Sequence, residues 1–168
     1  MNFPKRTYES DHGDNEYRRG LYTFWCRTFA HTSMLAFDAP SREECTVERV
    51  NSNTPMQALA LLNDPTYVEA ARTLAERVVR HGGAVPKDRI NYTYLQVLDR
   101  KPTSEEFKLL DELYKKQIDR YTKHPDNAAK LISAGEKPVA KDLNTSEVAA
   151  WTSICRVVLN LHETITRY

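Results

Sequence analysis

Two proline-initiated helix starts, ten residues apart, constrain this chain more than any other feature. In residues 51–79, NSNTPMQALALLNDPTYVEAARTLAERVV, Thr54 is followed by Pro55 and Asp64 by Pro65. A hydroxyl or carboxylate at the cap accepts from a backbone N–H that has no partner inside the helix. Proline at the first helical position has no N–H to leave unpaired. Between the two starts lies the apolar stretch 56–62, too short to be a stable helix in water by itself. It must pack on other elements, and the reading places it at the hub of the fold.

The other helices follow from periodicity and punctuation. Tyr67, Ala71, Leu74 and Val78 form an apolar stripe, with Glu69, Arg72, Glu76, Arg77 and Arg80 assigned to a solvent face. Gly82 and Gly83 end that helix. A third helix is expected over 87–98 after Pro86, with Ile90, Tyr94, Val97 and Leu98 on one side. A fourth opens at Thr103 or Ser104, buries Phe107, Leu110, Tyr114, Ile118 and Tyr121, and stops before Pro125. A short helix is expected over 126–134, then a polar, exposed linker, EKPVAKDLN. Asn144 or Thr145 caps the last helix. Its Trp151, Ile154, Val158, Leu161 and Ile165 repeat in steps of three and four, as a helix that closes a core would, or one that meets a second chain.

Residues 1–50 have no sustained helical period. LYTFWCRTF is dense in aromatics and suits a short buried strand or one helical turn equally. Ser41 and Glu44 form an S-x-x-E pattern, which predicts a short helix from near Arg42. Asp38, Arg42, Glu43, Glu44, Glu48 and Arg49 read as a solvated face. The fold class is therefore mainly α: an irregular, aromatic-rich N-terminal segment (1–50) packed on a bundle of about five to six helices (51–168), together one domain. That length suffices to bury roughly 70% of the unfolded surface.

Composition narrows the function. Twenty-four Lys and Arg stand against 23 Asp and Glu, a balance that disfavours a general polyanion binder, and Arg18-Arg19 alone does not make a nucleic-acid surface. No apolar run reaches the ~20 residues of a membrane span. The three cysteines, Cys26, Cys45 and Cys155, are far apart and form no CxxC, so they read as small buried hydrophobes. The five histidines have no ligand spacing, so neither a metal nor any other cofactor is expected. No catalytic motif is present and no catalytic residue is assigned. The residues best placed to bind a ligand are Asp38, Arg42 and Arg49, which could hold an anion, and Asn53, Gln57 and Asn63, whose amides surround a helix start. Polar groups at such a place also satisfy loop backbone.

The runs YRRGLYTFWCRT, FDAPSREECTVERVNSNTPMQALALLNDPTYVEAAR and WTSICRVVLNLHETITR resemble the planctomycete-specific domain of unknown function. That domain closes large exported proteins, many of which begin with a planctomycete-type cytochrome c module. The resemblance implies that the chain is the terminal portion of a longer polypeptide, exported or periplasmic, with haem chemistry supplied upstream. The family has no assigned catalytic residues to carry over. Cys26 stands where a basic residue is usual and His162 where an acid is usual, so neither position carries shared chemistry. The expected function is a non-catalytic structural or interaction module, whose partners are the upstream modules of the same polypeptide or another protein. The alternative is a catalytic or substrate-binding domain, acting on polysaccharide, built on the polar cluster from Asp38 to Asn63.

Overall fold

The helix starts expected from caps at Thr54, Asp64, Thr103 and Asn144 are where the chain turns helical. A computed structural model describes residues 11–18, 20–22, 31–40, 44–48 and 52–166. Among these, eight α-helices run in order: α1 Thr32–Ala36, α2 Pro55–Asn63, α3 Pro65–His81, α4 Pro86–Leu98, α5 Ser104–Lys123, α6 Pro125–Ile132, α7 Thr145–Leu159 and α8 His162–Ile165. The described residues contain no strand, so the protein is mainly α. The Thr54 hydroxyl accepts from the Gln57 N–H while the Gln57 side chain accepts from Thr54 N–H, a reciprocal cap. Asp64 accepts from Thr66 N–H at α3, Thr103 pairs with Glu106 at α5, and Asn144 accepts from Glu147 N–H at α7. Four of the eight helices carry proline in their first turn.

The chain divides into two compact units, Met1–Arg49 and Val50–Tyr168. In the first, the described residues form α1 and two 3-10 turns, Gly13–Asn15 and Gly20–Tyr22. Leu21 and Tyr22 are exposed; Phe24, Trp25, Cys26 and Phe29 lie outside the described residues. The helix expected near Arg42 begins on residues outside that set, and 44–48 are irregular and exposed. The helix that does form, α1, was not anticipated.

In the second unit α7 is the hub. One core cluster joins Ala71, Ala75 and Val78 of α3, Ile90 and Tyr94 of α4, and Leu110 of α5 to Trp151, Ile154, Cys155 and Val158 of α7. A second joins Tyr121 of α5, Ala128 and Ile132 of α6 to Val148, Ala149 and Ala150, again of α7. One helix thus serves both cores, with small residues in its first turns and large ones beyond. Small side chains let α6 approach closely; Trp151 fills the space among α3, α4 and α5.

Two expectations are corrected here. The stretch 56–62 is not the hub: Met56 is 62% exposed, Leu59 is 56% exposed, and Gln57 is the one fully buried residue of α2. A short apolar helix needs support, but here it comes from one side, by α3 and from an Arg156 guanidinium donating to the Leu62 carbonyl. The seam of α7 is also interrupted. Trp151, Ile154 and Val158 are buried, but the helix ends at Leu159, so Leu161 and Ile165 fall outside it. The closing role on the core is what the packing supports.

Candidate functional site

Of the six polar residues proposed from sequence, Asp38 belongs to the first unit and Asn53, Gln57 and Asn63 to the second. Asp38 has a left-handed backbone, φ 58°, just after α1; Arg42 and Arg49 lie outside the described residues. Asn53 is exposed ahead of α2. Gln57 is 2% exposed; besides the cap, its Nε2 donates to Ser52 Oγ at 3.1 Å. The Asn63 amide donates to the Leu59 carbonyl one turn back, 2.9 Å away. Gln57 and Asn63 are six positions apart on α2, about 9 Å along the axis and about 120° around it. These two amides serve the two ends of α2 and do not converge.

Among the described residues, the buried charges gather on α3, where the sequence suggested a solvent face. Glu69, Arg72 and Glu76 are 2%, 1% and 9% exposed. They cover the main chain of the segment between α6 and α7. One oxygen of Glu69 accepts from Glu136 N–H at 2.5 Å and Lys137 N–H at 3.0 Å. Arg72 donates to the carbonyls of Lys137 and Pro138 at 2.7 and 3.2 Å, and to Glu76 at 3.1 Å. Glu76 accepts from Ala140 N–H at 3.4 Å. Farther along, Arg80 holds both oxygens of Asp142 at 2.8 and 2.9 Å. Residues 69, 72, 76 and 80 recur every three or four positions, so one stripe of α3 meets an extended strap along its length.

The strap's main chain would be costly to bury without these partners. Gly135 begins it with φ +91°, and a Cβ there would stand 2.0 Å from a Glu69 oxygen. Glycine is needed on both counts. Val139 and Leu143 anchor the strap in the second core cluster, while Glu136, Lys137, Pro138 and Lys141 are exposed. The expected exposed linker is therefore exposed in its charged side chains, anchored by Val139 and Leu143 and docked through its backbone. Sequence reasoning missed the arrangement because its partners lie 64 to 68 residues from the α3 side chains in the chain.

Two smaller ionic groups join other elements of the second unit. The Arg89 guanidinium donates to Glu147 at 2.5 Å and lies 5.8 Å from the Trp151 ring centre. Tyr114 packs on the same indole, centroids 4.6 Å apart, and burial pushes its phenol up. Arg100, at the end of α4, bonds both Glu106 oxygens at 2.8 and 2.9 Å and Glu163 of α8 at 2.7 Å, over the Tyr94 ring. The Arg100 hydrogen bonds hold Glu106 down to about 2, against 4.5 for an ordinary glutamate, and also lower Glu163. A depressed carboxylate stabilises the fold above its unfolded value and loses that contribution as it protonates. Stability should therefore fall as pH drops from about 4.5 towards 2, and Arg100→Gln should flatten that acid limb. Thermal unfolding of both proteins across this range checks it.

The chemistry of these groups is that of clamps: each charge meets an opposite charge or a main-chain dipole. Among the described residues no three of His, Cys, Asp and Glu gather as a metal site would require. Cys155 is fully buried, and burial raises its thiol well above the ordinary value; Cys45 is exposed. Alkylation with iodoacetamide near neutral pH should thus label Cys45 in the native protein and Cys155 after denaturation, as read by peptide mass.

No curated protein and no solved structure matches the sequence. A family match does extend over residues 1–114, from the N-terminal unit through the first half of α5. Helix α7, which contributes to both cores, lies beyond it. Because the match spans more than half of the 168 residues, the chain belongs to PSD1, a family of proteins of unknown function (DUF1553).

Proposed function

We propose that this chain is a non-catalytic structural and interaction module of a longer, exported polypeptide. The observation that carries the reading is the use of Glu69, Arg72 and Glu76. Buried ionic groups in an active site are turned towards a space where substrate can enter. Here they meet the main chain of residues 136–140. A fold whose buried charges immobilise its own surface segment presents a fixed shape to a partner, and that suits assembly better than turnover.

The planctomycete-type domain that the sequence resembles supplies the context of this proposal: modules upstream on the same polypeptide, a cytochrome c module among them, and residence in the periplasm. No helix of the described residues is long and apolar enough to cross a membrane. Co-purification of the chain with the separately expressed upstream modules, followed by size-exclusion chromatography, tests the association. Co-elution is the expected result, and separate elution from every module removes the proposal. Fractionation of cells that produce the full-length polypeptide tests the location, with recovery in the cytoplasm counting against export.

A further inference from the structure

We draw no further inference here: the strongest candidate, the uncharged face of α2 on which Met56 and Leu59 stand exposed, carries nothing because nothing in the structure shows what covers it.

Discussion

Trp151→Ala is expected to destabilise the helical unit by about 3–5 kcal/mol, the largest effect of any single truncation in it. The indole is completely buried. It lies where α3, α4, α5 and α7 meet, with Tyr114 on one face and the Arg89 guanidinium near its ring. Alanine would leave a space that these helices cannot close, since α3, α5 and α7 are fixed by side-chain caps and α4 by the ion pairs of Arg89 and Arg100. Trp151→Phe keeps part of the volume and should cost less. Urea unfolding monitored by circular dichroism separates the two, and a loss below about 1 kcal/mol for the alanine variant would contradict the hub role of α7.

Arg72→Met is expected to cost about 3–5 kcal/mol, because removing one member of a buried ionic group leaves the others without compensation. Methionine fills a similar volume, so packing alone would change little. What is lost is the donor set for Glu76 and for the carbonyls of Lys137 and Pro138. Glu76→Gln, which retains an oxygen for the Ala140 N–H, should cost about 1 kcal/mol. Chemical denaturation of both variants gives the comparison. If Arg72→Met is as mild as Glu76→Gln, the strap is held by Val139 and Leu143 and not by the α3 charges.

Much of the fold was legible because helix ends are decided locally. Thr54-Pro55, Asp64-Pro65, Thr103 with Glu106, and Asn144 all act within three residues of themselves, and each opens a helix in the structure. The α5 stripe was legible too, with Leu110 and Tyr121 buried and Phe107, Tyr114 and Ile118 packed against the cores. On α3 the apolar stripe is shifted by one residue in places: Val68, Ala71, Ala75 and Val78 are buried, whereas Tyr67 and Leu74 are partly covered. The candidate site was less legible. Gln57 was singled out for its amide, but that amide completes a cap; Glu69, Arg72 and Glu76, read as solvated, carry the buried polar arrangement.

By itself, the sequence determined where α2, α3, α5 and α7 begin, because a cap needs only its own turn of chain. It also determined the mainly α class, because periodicity near 3.6 residues persists through most of residues 55–159. Tertiary structure alone decided which helix is central and which charged stripe is covered. Met56–Leu62 and Trp151–Val158 are both apolar enough to be a hub, and the choice went to α7 because it meets α3, α5 and α6 together. A stripe of Glu and Arg on a helix looks like a solvent face until the chain, some 65 residues later, returns with the N–H and C=O groups that satisfy it.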